Sequence, residues 1–291
     1  MVITVAELYR QTRQAILQTE EADTATFYAR NLLCHVTGMS VEKLLADGNR
    51  YLDAAVCDAL QAAIQRIQRG EPLAYVLGQW EFYGMSLQVD SNVLIPRDDT
   101  CAVTDLAISQ ALFLGEHPRI LDLCTGSGCI GLAIAKRVPD AKVTLADISK
   151  AALGVAKANI MAHKLSGRVA CCQTDALSSP AAFLGKFDMI VSNPPYITSE
   201  EMEQLPASVK DFEPHLALRG GDDGLNFYRN IAQQYRKVLK SGGYLCFEFG
   251  KGQGDAVCQI LLENGFTILE RKKDFNYIER AVIAQYHLEE E

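Results

Sequence analysis

No stretch of this chain is apolar for long enough to span a bilayer, and its first residues lack the basic-then-apolar pattern of a signal peptide. Those two absences make the cytoplasm the expected compartment. The nine cysteines form no Cys-x-x-Cys pair, come in an odd number and show no regular spacing. The histidines (His35, His117, His163, His215 and His287) do not cluster near them. This argues against a disulfide framework and against a metal site. Reduced, buried thiols are expected instead, with Cys124, Cys129, Cys171, Cys172 and Cys246 in core elements. Repeats and low-complexity tracts are also missing. Positive charge is scarce: 28 Lys and Arg against 36 Asp and Glu leave a net charge of −8. Sequence-independent binding to nucleic acid needs many cations facing phosphate, so stable nucleic-acid binding is not expected. The tail Glu289-Glu290-Glu291 reads as a solvated end.

What is present is 291 residues, 48% hydrophobic and 22% charged, enough for one large domain or two modest ones. The first 70 residues carry helical periodicity without a strand signal. Thr4 and Glu7 have the spacing of a capping box, and Val5, Leu8, Ala15 and Ile16 share a face. A second helix is expected over 25–36, ending at Gly38, and a third from about Asp53 to Gly70. Residues 1–70 thus read as a small all-α domain. Alternation follows within 71–97: Met85, Leu87 and Val89, then the turn residues Asp90, Ser91 and Asn92, then Val93, Leu94 and Ile95. This predicts a linking β-hairpin.

From 98 to 291 strands and helices alternate. Strands are expected at 119–123, 142–146, 168–172, 187–192 and 244–249, with helices at 129–137, 149–164, 223–240 and 253–264. Continuous apolar strands between amphipathic helices predict an α/β domain with a doubly wound, mostly parallel sheet. The last two strands, near 266–271 and 280–286, are joined too tightly for a helical crossover and should form an antiparallel edge pair.

Two motifs carry chemistry. The strand 119–123 runs into Cys124-Thr125-Gly126-Ser127-Gly128-Cys129-Ile130-Gly131, and the next strand ends at Asp147. Glycines let the backbone turn sharply and a ligand approach closely, and an acidic side chain at the second strand end can accept from ribose hydroxyls. The pattern does not by itself separate NAD from other adenosine cofactors. Asp122 suits the cationic methionyl end of S-adenosylmethionine and would repel a pyrophosphate. Asp175-Ala176 after the third strand offers an acceptor and a backbone N–H to an adenine edge. Asn193-Pro194-Pro195-Tyr196 follows the fourth strand. Prolines cannot continue a ladder, so this strand must deliver a stiff loop at the ligand-binding end of the sheet. The Asn193 side chain and the Pro194 peptide each supply a carbonyl, and two acceptors suit a planar –NH2 group. Tyr196 adds an aromatic face.

The set Asp-Leu-x-Thr-Gly-Ser-Gly, Asp147, Asp175 and Asn-Pro-Pro-Tyr resembles the class I S-adenosylmethionine-dependent methyltransferases that modify such nitrogens, whose domain is Rossmann-like. Further landmarks resemble the peptide-chain release factor glutamine methyltransferases: Gly70 to Gly78, Phe82-Tyr83-Gly84, Leu94-Ile95-Pro96-Arg97, Phe212-Glu213-Pro214, Gly220-Gly221-x-x-Gly224-Leu225, Tyr228-Arg229, and Glu248-Phe249-Gly250 with Gln253. The similarity covers nearly the whole chain. One departure stands out. The family usually reads Pro-Arg-Pro-Asp-Thr-Glu, whereas here the run is Pro96-Arg97-Asp98-Asp99-Thr100-Cys101. The departure leaves the cofactor loop and the Asn193 loop intact.

The resemblance implies methyl transfer from S-adenosylmethionine to the side-chain amide nitrogen of the glutamine in the Gly-Gly-Gln loop of release factors, without a metal. It implies cofactor contacts at Cys124, Thr125, Gly126, Ser127, Gly128, Asp147, Ala176 and Asn193. Substrate would meet Asn193, Pro194, Pro195 and Tyr196, with Asn193, Pro194 and Tyr196 in the catalytic roles. The helical domain would grip the protein substrate. Alternatives from the same motifs are glutamine methylation of a ribosomal protein and amino-group methylation of a nucleic-acid base. A non-catalytic S-adenosylmethionine-binding protein and an NAD dehydrogenase stand further off. Tyr75, Phe82 and Tyr83 read as packing residues.

Overall fold

The structure is a computed structural model that describes residues 3–287; the acidic tail lies outside the described residues. The chain forms two compact units. One comprises the residues up to Gly78 together with Ala207–Phe212; the other comprises Gln79–Pro206 and the residues from Glu213 onward.

The first unit is built on helices α1 (Val5–Ile16), α2 (Ala22–Thr37), α3 (Val41–Ala46), α4 (Ala54–Gln68) and α5 (Leu73–Leu77). Thr4 caps α1 by accepting from the Glu7 N–H at 3.3 Å, and Asp53 caps α4 by accepting from Val56 N–H at 3.0 Å. Gly38 ends α2 with φ +66°, a left-handed conformation that favours glycine. The unit is not purely helical: β1 (Ile3–Thr4) and β2 (Tyr51–Leu52) form a short antiparallel pair. Two residues are too few for alternation to register. Helix α3 escapes the periodicity for the same reason, though Ser40 caps it.

The second unit opens with a hairpin of β3 (Gln79–Phe82) and β4 (Met85–Gln88). The expected second strand over 93–95 is not a strand. The turn sits instead at Tyr83-Gly84, whose φ angles of 52° and 71° give a left-handed two-residue turn matched to strand twist. Tyr83 accepts this unfavourable backbone because its hydroxyl donates to Asp105 Oδ1 at 2.7 Å and Arg137 lies over its ring. Helix α6 (Cys101–Ala111) follows, apolar on most sides and therefore without a clear amphipathic signature.

The sheet comprises β5 (Arg119–Leu123), β6 (Lys142–Asp147), β7 (Val169–Gln173), β8 (Phe187–Ser192), β11 (Leu239–Glu248), β12 (Phe266–Lys273) and β13 (Glu279–Tyr286). Its spatial order is β12-β13-β11-β8-β5-β6-β7, parallel except that β13 runs antiparallel to both neighbours. Strand β11 starts five residues earlier than expected, kinked at Gly242-Gly243 where its pairing with β8 slips.

Period-2 alternation divides the strand residues between two cores. Ile120, Met189, Val191 and Cys246 pack with α6, α7 (Cys129–Arg137) and α8 (Lys150–Ala162). Leu121, Leu123, Ile190, Leu245 and Phe247 pack with α11 (Asn226–Gln234) and α12 (Gly254–Glu263). Helix α11 stops at Gln234 and tightens into a 3-10 turn over Tyr235–Val238, shorter than the span expected. Between β8 and α11 the chain forms β9 (Ile197–Thr198), α9 (Ser199–Gln204), α10 (Ala207–Lys210) and β10 (Arg219–Gly221), with α10 in the first unit and β9 paired parallel to β10. Helix α9 carries a full capping box between Thr198 and Glu201, a signal that was there to be read.

All nine cysteines are free thiols. Cys246 and Cys258 are buried, while Cys124 and Cys129 flank the glycine loop and Cys171 and Cys172 lie within the edge strand β7, and these four are only half-buried. No helix among the described residues is long and apolar enough to cross a membrane.

Candidate active site

From β5 the chain steps outward through β6 to β7, then returns to β8 on the other side of β5. Such a switch point leaves a crevice beyond the carboxyl ends of the strands, because successive connections diverge to opposite faces. A pocket lies there, lined by loops following β5, β6, β7 and β8 and by the segment Asn92–Thr100.

The floor is the glycine loop. Cys124 leaves β5 with φ +62°, Gly126 has φ +54° and Gly128 has φ +86° as it starts α7. A Cβ on Gly126 would meet nothing within 4 Å, so the backbone there is open to a ligand. Gly128 instead faces Leu145 and Leu132, at 3.0 and 3.2 Å from an added Cβ, and serves the strand-to-helix turn. Asp122 does not face the pocket as expected. It is buried beneath the loop, where Oδ2 accepts from the Thr125 hydroxyl at 2.6 Å and from Gly131 N–H at 2.8 Å. Burial pushes this carboxyl up to about 7 despite those two donors.

Asp147 projects from the end of β6. Its Oδ2 accepts from Gly126 N–H and its Oδ1 from Ser149 N–H, both at 2.9 Å. Each oxygen keeps a lone pair for a further donor. Burial raises its pKa, and the backbone donors oppose the shift. After β7, Asp175 turns its carboxylate back to Leu177 N–H and the Ser178 hydroxyl, at 2.8 and 2.7 Å. Asn230 and Tyr235 hold this loop by donating to the carbonyls of Ala176 and Asp175, at 2.6 and 2.9 Å.

The Asn193 loop is clamped from three sides. Ser192 donates to Leu123 O at 2.5 Å, Gln253 Nε2 donates to Tyr196 O at 3.0 Å, and Ile197 N–H donates to Leu218 O at 2.9 Å. Glycines permit this proximity. A Cβ on Gly220 would stand 2.7 Å from Tyr196 Cα and 2.8 Å from Pro195 O, and one on Gly224 would collide with Tyr196 O. Asn193 and Pro195 line the pocket; Pro194 is buried behind them. Tyr196 is not among the lining residues, and its ring packs against the core shared with Phe247 and Phe249. Asn193 Nδ2 donates to Thr100 Oγ1 at 3.3 Å.

Of the expected cofactor contacts, Cys124, Thr125, Gly126, Ser127, Asp147, Ala176 and Asn193 all line this one pocket, and Gly128 does not. Thr100, Ile148, Leu216 and Phe227 line it without having been singled out for it. Ile148, directly after Asp147, is 44% exposed; the sequence shows an isoleucine there but not that it is held in the open. Glu213, 4% exposed, ion-pairs with Arg97 and accepts from Ile95 N–H at 3.2 Å, fixing the pocket wall.

The residues present fit S-adenosylmethionine. The lining holds two carboxylates, Asp147 and Asp175, against one cation, Arg97, which is already paired. That balance favours a cationic ligand with ribose hydroxyls over a pyrophosphate. Ser127 Oγ is buried at the pocket with no partner among the described residues, as a site awaiting a polar ligand would leave it.

A seven-stranded sheet of this order and a pocket of this chemistry define a class I S-adenosylmethionine-dependent methyltransferase. Residues 105–213 match the family described as methyltransferase small domain, and residues 7–78 match the PrmC N-terminal domain. A release factor glutamine methyltransferase from Chlorobaculum tepidum is 38% identical over 287 residues, 97% of each chain. Another from Clostridium acetobutylicum is 42% identical over 213 residues, covering 73% of this chain and 74% of its own. Among solved structures, a methyltransferase from Pyrococcus furiosus shares the fold at 16% identity and a TM-score of 0.52, covering 77% of this chain and 98% of that one. The chain belongs to the release factor glutamine methyltransferase family.

Proposed function

We propose that this enzyme methylates the side-chain amide nitrogen of the glutamine in the Gly-Gly-Gln motif of peptide-chain release factors, with Asn193 as the residue that selects and orients that amide. S-adenosylmethionine, when bound, supplies an electrophilic methyl on a sulfonium. Asp147 would accept from its ribose hydroxyls, and the open backbone from Cys124 to Ser127 would lie along it. Ala176 would border the adenine, with Asp175 shaping the loop.

The chemical difficulty is the nucleophile. An amide nitrogen shares its lone pair with its carbonyl. Asn193 Oδ1 and the Pro194 carbonyl would accept its two hydrogens, aim the lone pair across the pocket and stabilise positive charge growing on nitrogen. Pro195 and Tyr196 hold that loop stiff, and Tyr196 would close the site from behind. The proton released after transfer would leave to water. The observation that carries this reading is the Asn193 side chain itself: its nitrogen is taken up by Thr100, which leaves its oxygen for the pocket. Asn193→Ala should lower kcat by about a hundredfold or more while the cofactor Kd stays within about threefold. Near-normal turnover would overturn the role.

The first unit is read as the grip on the protein substrate. The net charge of −8 supports a protein substrate over a nucleic-acid one. Release factors act in the cytoplasm, which is where this reading puts the enzyme.

A further inference from the structure

Gln253 immediately precedes α12, yet its side chain makes no bond to the helix's own N–H groups. It spans two loops instead. Its Oε1 accepts from Gly250 N–H at 2.9 Å, and its Nε2 donates to Tyr196 O at 3.0 Å. Both partners are backbone groups of fixed character, since an N–H only donates and a carbonyl oxygen only accepts. One orientation of the amide therefore satisfies both, and the reversed one would set N–H against N–H and oxygen against oxygen. The Gln253 N–H in turn donates to Gly250 O at 3.1 Å, so this end of the bridge is held twice.

Two glycines make room for the bridge. A Cβ on Gly224 would stand 2.3 Å from Tyr196 O and 2.6 Å from Gln253 Nε2. One on Gly250 would stand 2.9 Å from Gln253 Oε1 and 3.1 Å from Tyr196 Cδ2. The loop that the bridge reaches is anchored at its other end, where Ser192 Oγ donates to Leu123 O at 2.5 Å. Between the two anchors lie Asn193, Pro194 and Pro195. The proline rings fix two φ angles at about −65°. A segment with so few free torsions passes a constraint from one end to the other. A shift of the Tyr196 peptide must move the Pro194 carbonyl and the Asn193 side chain with it. Gln253 does not line the pocket, so it acts through this loop and not on a ligand.

We propose that Gln253 is a positioning residue for methyl transfer: by donating to Tyr196 O it sets the angle at which Asn193 and the Pro194 carbonyl meet the substrate amide. This rests on the reading of those two groups as the acceptors for that amide. Gln253→Glu separates the role from simple bracing of the turn before α12. An ionised glutamate keeps the acceptor for Gly250 N–H, and its charge suits a helix N-terminus. It has no proton for Tyr196 O. A residue that only braced the turn would lose nothing by the change.

The test uses the full chain, an unmethylated release factor and S-adenosylmethionine, with Gln253→Glu, Gln253→Met and Asn193→Ala compared. At pH 8 Gln253→Glu should lower kcat about tenfold, with the cofactor Kd and the release factor KM within about threefold. Towards about pH 5.5 the carboxyl at 253 gains a proton to donate, favoured by partial burial and the facing carbonyl. The ratio of variant to wild-type kcat should then recover several-fold. Gln253→Met, which has no donor at any pH, should lose kcat by a similar factor and show no recovery. If Gln253→Glu fails to fold by circular dichroism, Gln253→Met carries the test through its loss in kcat at constant KM and Kd. Wild-type kcat at pH 8 in a folded variant, no acid recovery in Gln253→Glu, or parallel losses in kcat, KM and Kd would overturn the inference. Retained turnover in Asn193→Ala would instead overturn the underlying reading. Loss of turnover in Asn193→Ala alone would overturn only the role of Gln253.

Discussion

At Gly220 and Gly224 the absence of a side chain decides the geometry of the reactive loop. Both lie against the backbone of Pro195 and Tyr196, closer than any Cβ allows. Gly220→Ala should cost about 2 kcal/mol in urea-unfolding stability and depress turnover, since the Asn193 loop must shift to make room. An unchanged stability and rate would show that the loop is not clamped there. The chemistry of Asn193 and Asp147 was legible from residue type and from position at strand ends. The role of Asp122 was not. Its place after a strand suggested the pocket, but alternation turns it beneath the glycine loop, onto Gly131.

Among elements, the parallel strands were legible as continuous apolar runs and their covering helices as the amphipathic stretches between them. The hairpin was legible in kind but not in register. Alternation over 85–95 looked like two strands, while the turn at Tyr83-Gly84 is encoded by backbone conformation and by the Tyr83–Asp105 bond. Asn159 of α8 shows what holds the hairpin in place. It is fully buried, accepts from Gln88 N–H at 2.7 Å, and donates to Gln88 O at 3.0 Å and Ser127 O at 2.9 Å. One side chain thus ties β4 to the cofactor loop. Asn159→Ala and Asn159→Asp should each destabilise the protein by about 2–3 kcal/mol and weaken cofactor binding, because neither side chain can donate to Ser127 O. Calorimetric titration with S-adenosylmethionine checks this, and wild-type affinity in both variants would contradict the tie to the loop.

For the whole molecule, Asp122 and Glu248 set a pH dependence. Both carboxyls lie near 7 in the folded chain, against ordinary values of 3.8 and 4.5. A raised folded value means the unfolded chain ionises first, so each group's contribution is full below about pH 4 and is lost as pH rises through about 7. Urea unfolding at pH 5 and pH 8 should show a smaller loss of stability for Asp122→Asn and Glu248→Gln than for the wild type; equal losses would contradict the shifts. The first unit carries Leu45 and Tyr51 at 76% and 67% exposure. If it grips the substrate, replacing both with alanine should raise the release factor KM about tenfold and leave kcat and cofactor affinity unchanged. The central claim is tested most directly by mass spectrometry of an unmethylated release factor incubated with the pure enzyme and methyl-labelled S-adenosylmethionine. The account predicts a single added methyl on the side-chain nitrogen of the Gly-Gly-Gln glutamine. A methyl elsewhere on that factor, or none there while ribosomal protein or DNA is labelled, would contradict it.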